Sequence, residues 1–338
     1  MKNKYQICYM GGDGIGPEVT TQSIKLLEAT GIGFDFIKAE IGFDAYKKCG
    51  TPLPKKTIEI CKKSDAILFG AITTPPNIKG YFSPIVRLRK ILDLYANVRP
   101  FKSLPIPDQK QGIDFIIVRE NTEDLYVGQE RLTKEGAIAE RVITKKACQK
   151  IVKFAFELAI TRLRQGYGGQ GKVTVVHKAN ILRITDGLFL DIAKEISRSY
   201  PEIIMEDMLV DSCAMQLIKK TENFDVIVTT NMFGDILSDE AAGLTSGLGV
   251  AASANIGDRL GLFEPVHGSA PKYAGKNIAN PTASFLSVAM MLDFLTEDKT
   301  AKKIRQSVIK TIKLGLTTKD LGGKLKSSEF TNKVIENL

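Results

Sequence analysis

Short apolar segments alternate with amphipathic segments along most of the chain. Two amphipathic segments have apolar residues close to a 3.6-residue period and predict helices: Pro17–Thr30 and Lys145–Arg164. The last third of the chain reads as mostly helical. Six segments rich in β-branched or aromatic residues predict strands: Tyr5–Met10, Phe34–Ala39, Ala66–Gly70, Phe115–Arg119, Val173–His177 and Val226–Thr230. Strands that alternate with helices predict an α/β fold with mainly parallel strands.

Length and composition predict a folded protein with two lobes. The chain has 338 residues, of which 43% are hydrophobic and 25% charged, and this excludes a disordered chain. One core rarely grows beyond about 250–300 residues, so we expect two lobes. The longest nearly apolar segment, Thr282 to Leu292, falls short of the ~20 residues that cross a bilayer. The N-terminus lacks the apolar core of a signal peptide, so we expect a cytoplasmic protein without membrane contact.

The charge balance leaves two kinds of partner open. Lys and Arg number 47 against 38 Asp and Glu, a net charge of +9 that suits nucleic acid or a small polyanionic substrate. Trp is absent and no stretch interleaves aromatic with basic residues, so we expect no nucleic-acid binding. The five scattered cysteines predict reduced thiols. The two histidines are too few for most histidine-based metal sites.

Two glycine-rich segments could approach phosphate groups. Gly11–Glu18 (GGDGIGPE) follows the first strand and opens a helix, but its glycine spacing differs from G-x-G-x-x-G. A dinucleotide-binding loop and a plain strand-to-helix turn both remain open for it. Gln165–Lys172 (QGYGGQGK) follows a helix and lacks the G-K-[S/T] ending of a phosphate loop. A connector between helix and strand is the favoured interpretation of this second segment.

Asp235 and Asp239 form a candidate metal pair. They are four residues apart in FGDILSDEAAGL, which reads as a helix start that places both carboxylates on one face. Like charges at that spacing repel, and a divalent cation would reverse the penalty. The alternative is that Asp235 favours a helix N-terminus while Asp239 is solvated.

Other charged residues stand at strand ends. Lys178 and Asp211 follow apolar segments, at the position where open α/β sheets bind ligands. Arg89, Arg99 and Arg119 are candidates for binding a multiply anionic acid, because each guanidinium can clamp a carboxylate in a bidentate fork. Taken singly, each of these residues is more often a surface charge.

Eight motifs then occur in a fixed order: GGDGIGPE, LRKILDLYANVRP, VRENTEDLYVG, HKAN, VDSCAM, GDILSDEAAG, EPVHGSAPKYAG and ANPTA. Together they closely resemble the β-decarboxylating dehydrogenases, the family of isocitrate, homoisocitrate and 3-isopropylmalate dehydrogenases. The resemblance implies a two-lobed α/β fold. Residues 1–95 and 246–338 would form a large cofactor-binding lobe, and residues 96–245 a small lobe with the dimer interface. It also implies a homodimer, or a dimer of dimers, with shared active sites.

The implied reaction is the oxidative decarboxylation of a 2-hydroxy acid that bears a carboxylate on C3. The resemblance assigns Mg²⁺ or Mn²⁺ to Asp211, Asp235 and Asp239, and the substrate to Ser83, Arg89, Arg99 and Arg119. Lys178 resembles the base that removes the hydroxyl proton, and Tyr126 the acid that protonates the enol carbon. Lys178 and Asp211 would reach into the neighbouring protomer's site. Because every one of these polar residues is present, a catalytically inactive regulatory subunit is disfavoured.

The resemblance also suggests which cofactor is used. NAD-specific members usually have Asp after EPVHGSAP, where this chain has Lys272-Tyr273, a pair similar to NADP-specific isocitrate dehydrogenases. The stretch 318–323 looks like the NAD type instead. We expect NADP to be favoured over NAD, because Lys attracts a 2′-phosphate that Asp would repel. Further cofactor residues implied by the resemblance are Ile72, Thr74, Asn180, Glu264, His267, Gly268, Asn280 and Asp320.

The segment Pro75–Leu88 carries the substrate preference. Isocitrate enzymes commonly have Ser-x-Asn where this chain has Ser83-Pro84-Ile85, and isopropylmalate enzymes typically have an apolar helix there. Ser-Pro-Ile-Val together with ENTEDLY is most similar to homoisocitrate dehydrogenases. We expect homoisocitrate or a close homologue first, isocitrate second and 3-isopropylmalate third. A role in amino-acid biosynthesis would follow.

Overall fold

The computed structural model describes residues 4–75, 78, 80–106, 110–164, 169–245 and 247–338. Within these ranges the strands are β1 (Tyr5–Gly12), β2 (Phe34–Lys38), β3 (Ala66–Ala71), β4 (Ala96–Lys102), β5 (Asp114–Glu120), β6 (Glu130–Leu132), β7 (Ala137–Ala139), β8 (Lys172–His177), β9 (Ile204–Leu209), β10 (Val226–Thr229), β11 (Ala252–Ile256) and β12 (Gly261–Pro265). The helices are α1 (Gly16–Glu28), α2 (Phe43–Cys49), α3 (Lys55–Lys63), α4 (Pro84–Ile91), α5 (Lys145–Arg164), α6 (Thr185–Ser197), α7 (Val210–Lys219), α8 (Asn231–Leu244), α9 (Thr282–Phe294), α10 (Asp298–Lys313) and α11 (Ser327–Glu336).

The chain divides into two compact units. Residues 1–92, 104–109 and 246–338 form one, here called the terminal unit, and residues 93–103 and 110–245 form the other, the central unit. The assignment of cofactor binding to the first and of dimer contacts to the second stays a prediction.

The terminal unit is built on five strands in the order β2-β1-β3-β12-β11. The pairs β1–β2, β1–β3 and β3–β12 are parallel, and β11–β12 is antiparallel. Every residue of β3 is buried, as expected for a central strand whose two faces are both covered. Helix α9, with Phe285, Val288 and Leu292 buried, packs on β11 and β12.

The central unit has five strands in the order β4-β5-β10-β8-β9. Its pairs are parallel except for β4–β5. Helix α5 packs on β5, β10 and β8 through Ile151, Val152, Ala155 and Ala159. Parallel strands bring their carboxyl ends to one edge, and that edge carries Arg119, Lys178 and the start of α8. Strands β6 and β7 form a separate antiparallel hairpin.

The predicted α/β fold class is confirmed, and so are the six predicted strands and both predicted helices. One interpretation is wrong: helix α8 begins at Asn231, so Asp235 lies in its second turn and not at its N-terminus. The last third is mostly helical, as expected, with α8, α9, α10 and α11. It also contains β11 and β12, which were not predicted and whose sequences ASANI and GLFEP have few β-branched residues. These two segments become strands because neighbouring elements bury them. The intrinsic strand preference of their residues does not predict this.

The segment Gly11–Glu18 forms a tight strand-to-helix turn. Gly14 has φ +60°, and a Cβ there would lie 2.0 Å from the Ser269 carbonyl oxygen. The Asp13 carboxylate accepts hydrogen bonds from the backbone N–H groups of Phe43 (2.9 Å), Asp44 (3.0 Å) and Thr73 (2.8 Å). The turn therefore joins several loops of the terminal unit. Of the other glycine-rich segment, residues 165–168 lie outside the described residues, and Lys172 begins β8.

In the part of the chain that the structure describes, no helix is both long enough and apolar enough to cross a bilayer.

Candidate active site

Arg119, Tyr126 and Asp235 form the centre of a polar cluster in the central unit. Arg119 is the penultimate residue of β5 with its side chain only 2% exposed, and its Nη1 donates a hydrogen bond to Asp235 Oδ1. Tyr126 donates its hydroxyl to Asp235 Oδ2, and the Arg119 guanidinium lies 4.9 Å from the centre of the Tyr126 ring. Burial raises the pKa of Tyr126, and the bond to Asp235 adds to the effect. The phenol therefore keeps its proton well above neutral pH.

A second guanidinium lies beside the same carboxylate. Arg99 on β4 has Nη2 3.7 Å from Asp235 Oδ1 and Nη1 3.5 Å from Asp239 Oδ1. Its Nε donates to Asn97 Oδ1 (2.8 Å), and its Nη1 donates to Ser238 Oγ (2.5 Å). Arg99 and Arg119 thus converge on one face of α8, where two positive charges face two negative ones.

Asp235 and Asp239 share that face, one helical turn apart. Partial burial raises the pKa of Asp239, Arg99 opposes the rise, and the neighbouring Asp235 carboxylate adds to it. Carboxylate oxygens suit Mg²⁺ or Mn²⁺. Among the residues described in this single chain, however, no group of three or more His, Cys, Asp and Glu side chains is placed to hold a metal ion. The two carboxylates alone do not complete the coordination of such a cation.

Lys178 and Asp211 pair with each other. Lys178 follows β8, Asp211 lies in the first turn of α7, and Lys178 Nζ donates to Asp211 Oδ1 over 2.5 Å. This bond lowers the pKa of Asp211, whose side chain is 62% exposed. The exposed Asp211 carboxylate and its lysine remain accessible to a second molecule.

The terminal unit holds a buried ion pair. Arg89 on α4 donates from Nη2 to Glu264 Oε1 (2.6 Å), and Asn255 Nδ2 donates to the same oxygen (2.7 Å). Arg89 Nε is buried and has no hydrogen-bond partner among the described residues. Glu264 therefore orients Arg89 while one of the donors of Arg89 stays available.

His267 lies in the loop after β12. Its Nδ1 is 3.0 Å from the Gly268 carbonyl oxygen, which identifies Nδ1 as the protonated nitrogen. Burial lowers the pKa of His267, so the imidazole is neutral at pH 7. Its Nε2 is then a buried acceptor without a donor in the described part of the chain, and it fits an N–H group of a ligand.

The remaining predicted cofactor residues of the terminal unit lie in loops. Asn280 Nδ2 donates to Asp320 Oδ2 (2.9 Å). Lys272 and Tyr273 are exposed in a 3-10 turn, with Lys272 Nζ 4.8 Å from the Tyr273 ring centre. Ile72 and Thr74 follow β3. Asn180 differs from these residues because it lies in the central unit, after Lys178.

Ser83 precedes α4, and its hydroxyl forms no capping bond to that helix. Ile85 is buried, whereas Arg87 is exposed and lies 4.6 Å from the ring centre of Phe82. Residues 76, 77 and 79 of the predicted substrate segment Pro75–Leu88 lie outside the described residues.

Several residues that hold the cluster were not predicted. Asn231 Oδ1 accepts from Arg119 Nε (3.0 Å) and Nη2 (2.7 Å), and Asn97 and Ser238 hold Arg99. Their positions beside the predicted residues, on β4 and on α8, were the only available signal. Asparagine and serine are too common near helix ends for that signal to have singled them out.

Comparison with known proteins identifies the family of the whole chain. Residues 6–335 match the family described as isocitrate/isopropylmalate dehydrogenase. The homoisocitrate dehydrogenase of Methanocaldococcus jannaschii is 52% identical, over 98% of this chain and 96% of that protein. The isocitrate/homoisocitrate dehydrogenase of Thermus thermophilus is 50% identical, over 99% and 98%. The crystal structure of isocitrate dehydrogenase from Methylococcus capsulatus superposes with a TM-score of 0.93 at 42% identity, covering 98% of this chain and 99% of that one.

Proposed function

Because the chain belongs to the isocitrate/isopropylmalate dehydrogenase family, whose members are β-decarboxylating dehydrogenases, we propose that it oxidatively decarboxylates homoisocitrate or a close homologue. The hydride acceptor is NADP in preference to NAD. Isocitrate and 3-isopropylmalate are the alternative substrates, in that order. The relatives named for these three acids are similar enough to this chain that family membership alone does not choose among them.

The convergence of Arg99, Arg119 and Tyr126 on Asp235 is the observation that carries the proposal. Two buried guanidinium groups beside a phenol suit an acid with several carboxylates, because each guanidinium can bind a carboxylate through two parallel hydrogen bonds. By resemblance to the family Arg89 is also a substrate residue, and Glu264 orients its guanidinium within the terminal unit. Ser83 has a hydroxyl available for a distal carboxylate.

Asp235 and Asp239 would hold the divalent cation, with Asp211 of a second copy of the chain as the third carboxylate. When bound, Mg²⁺ or Mn²⁺ acidifies the substrate hydroxyl and stabilises negative charge on its oxygen. Arg99 lies beside both of these carboxylates and Arg119 bonds Asp235, so positive charge already faces the groups that would hold the cation. With that third carboxylate, the chain would act as a homodimer, or a dimer of dimers, with shared active sites.

Lys178 and Tyr126 supply the two proton transfers. Lys178 takes the hydroxyl proton as the neutral amine, and its contact with Asp211 places Nζ beside a carboxylate that is proposed to hold the cation. Tyr126 has a raised pKa and is therefore protonated when the enol forms, so it can donate a proton to the enol carbon.

The cofactor preference depends on Lys272 and Tyr273. Both are exposed, and within the described part of the chain Lys272 forms no ion pair, so its charge is available for a 2′-phosphate. His267 and Asn280 offer polar atoms for the rest of the nucleotide, and Asp320 is bonded to Asn280.

A spectrophotometric matrix tests the proposal. The purified chain is assayed with homoisocitrate, isocitrate and 3-isopropylmalate, with NADP and NAD, and with Mg²⁺ or a chelator. We expect the highest kcat/KM with homoisocitrate and NADP, and loss of turnover with the chelator. A higher kcat/KM for another acid would reassign the substrate. A preference for NAD of about tenfold would overturn the cofactor assignment.

A further inference from the structure

We propose that Arg141 is a positioning residue that holds the turn carrying Tyr126 and the segment carrying Lys178 at the same time. The inference rests on the proposed function, since it takes the proton-transfer roles of Tyr126 and Lys178 from there. Arg141 lies between β7 and α5, and no sequence motif singled it out.

The Arg141 guanidinium is nearly buried, with its side chain 12% exposed. Its Nε donates to Asp124 Oδ1 (2.6 Å), its Nη1 donates to Asp186 Oδ1, and its Nη2 donates to Thr230 Oγ1 (2.9 Å). All three nitrogens are therefore in use, each on a different segment of the central unit. The planar fork of arginine spreads its donors over three nitrogens, whereas lysine has a single nitrogen for all of its donors.

Asp124 connects Arg141 to Tyr126. The Asp124 side chain is fully buried, and its Oδ1 also accepts from the backbone N–H of Leu125 (2.9 Å), where the turn containing Tyr126 begins. Asp124 has φ +71°, a conformation that a residue other than glycine keeps only when its surroundings impose it. The bond to Arg141 is one of the contacts that impose it, so it fixes where the phenol of Tyr126 points.

Asp186 connects Arg141 to Lys178. The Asp186 side chain is fully buried, and its Oδ2 accepts from the backbone N–H of Lys178 over 2.6 Å. Its Oδ1 accepts from Arg141. The Asp186 carboxylate thus connects the Arg141 guanidinium to the backbone of Lys178, the proposed base.

The third hydrogen bond of Arg141, to Thr230, connects it to α8. Thr230 immediately precedes α8, and Asp124 Oδ2 accepts from the backbone N–H of Met232 (3.0 Å) in its first turn. The helix that carries Asp235 and Asp239 is therefore held by the same group. Burial alone would lower the pKa of Arg141, but the bonds to Asp124 and Asp186 outweigh this and leave the pKa raised. The guanidinium stays charged and balances two buried carboxylates.

In the proposed dimer, Tyr126 acts in its own protomer's site and Lys178 in the neighbour's. One Arg141 then joins the acid of one active site to the base of the other. The dimer would contain two such connections, one per protomer.

Arg141→Lys is the first test, with Arg162→Lys as its matched control. Arg162 is equally buried in the same unit and also binds two carboxylates, Asp225 (2.7 Å) and Asp114 (3.0 Å), but it touches neither the Tyr126 turn nor the Lys178 segment. Lysine keeps the charge and loses the fork. We expect Arg141→Lys to lower kcat about tenfold or more and to change the KM for the hydroxy acid and the KM for the nucleotide by less than about threefold. Arg162→Lys should keep kcat within about twofold at a similar loss of thermal stability.

Asp186→Asn distinguishes the connection of Arg141 to Lys178 from its connection to Tyr126. It also tests the inference if Arg141→Lys does not fold. This variant removes the charge of the carboxylate that links Arg141 to Lys178, and it leaves in place Asp124, which links Arg141 to the Tyr126 turn. Oxidation of the hydroxy acid, which depends on Lys178, should slow about tenfold. The exchange of the C3 protons of the 2-oxo product in D₂O depends on Tyr126 and can be followed by NMR without nucleotide. The rate of this exchange should stay within about threefold of the wild-type rate. Equal loss of kcat in Arg141→Lys and Arg162→Lys, or equal slowing of both half-reactions in Asp186→Asn, would overturn the inference.

Amide hydrogen exchange distinguishes this inference from the proposed function. If the wild-type chain oxidises none of the three acids, the proposed function fails. The exchange rates of the Leu125 and Lys178 amides in Arg141→Lys then still decide whether Arg141 holds both segments. Faster exchange at both amides than in Arg162→Lys supports the positioning role, and unchanged exchange contradicts it.

Discussion

In the central unit the candidate side chains form hydrogen bonds with one another. In the terminal unit some polar atoms of the candidate side chains have no hydrogen-bond partner within the described residues. The single carboxylate of Asp235 accepts hydrogen bonds from both Arg119 and Tyr126, and Arg99 lies 3.7 Å away. His267 Nε2 and Arg89 Nε, in the terminal unit, have no hydrogen-bond partner within the described residues. One cluster is thus internally satisfied, and the other has vacant hydrogen-bonding positions.

This difference indicates how each unit meets its ligand. The central cluster must exchange its internal ion pairs for bonds to substrate and cation, so its members are energetically coupled and substitutions there should not be additive. The terminal unit keeps buried donors and acceptors ready for a nucleotide. Substitutions of residues that share no bond in that unit, such as His267 and Lys272, should act independently.

The largest effect is expected from the proton-transfer residues of the central unit. Tyr126→Phe and Lys178→Met should each lower kcat by roughly 10²–10⁴-fold, because each removes a positioned acid or base. Steady-state kinetics at saturating substrate measures the loss. Tyr200→Phe, on a tyrosine that packs against Phe156 in the same unit, is the matched control and should leave kcat unchanged. Near-wild-type kcat in both active-site variants would show that the roles are misassigned.

A smaller but selective effect is expected in the terminal unit. Lys272→Asp should shift the ratio of kcat/KM for NADP to that for NAD by about tenfold or more toward NAD, because a carboxylate repels the 2′-phosphate. Lys276→Asp changes an exposed lysine of the same loop and should leave the ratio unaltered. If both variants shift the ratio equally, general electrostatics and not Lys272 sets the preference.

The vacant acceptor of His267 gives a pH-dependent effect. Since burial lowers the pKa of His267, the unfolded chain binds a proton near its ordinary value of about 6.5, before the folded chain does. The stability of the folded state should therefore fall as the pH drops below about 6.5, by at most about 1.4 kcal/mol per pH unit from this group. Thermal unfolding of wild type and His267→Asn at pH 7.5 and 5.5 measures it. An equal pH dependence in both proteins would contradict the assignment.

The smallest effect concerns substrate choice. Ser83→Ala should raise the KM for homoisocitrate by about three- to tenfold, the value of one hydrogen bond of about 1 kcal/mol, and leave the KM for 3-isopropylmalate nearly unchanged. Ser64→Ala, whose hydroxyl bonds the Ile60 carbonyl at the end of α3, is the control. An equal change in both KM values would mean that Ser83 does not contact the distal carboxylate.

The sequence predicted the elements whose pattern is strong. Helix α5 was predicted with its observed bounds because its apolar residues keep a helical period over 20 residues. Strands β11 and β12 were missed because alanine, serine, asparagine and glycine favour strands only when neighbours bury them. The start of α8 was placed too late, since Asn231 and Met232 give no distinct signal at its first turn.

What the sequence by itself determined is the chemistry available: three arginines, three aspartates, a lysine and a tyrosine in motifs whose order resembles one enzyme family. What only the tertiary structure decided is which of these groups share bonds. Arg119 and Tyr126 meet at Asp235, although 116 and 109 residues respectively separate them from it along the chain. Arg141 joins three segments because buried charges must find partners wherever the fold places them, and that requirement depends on distance in space, which local sequence does not encode.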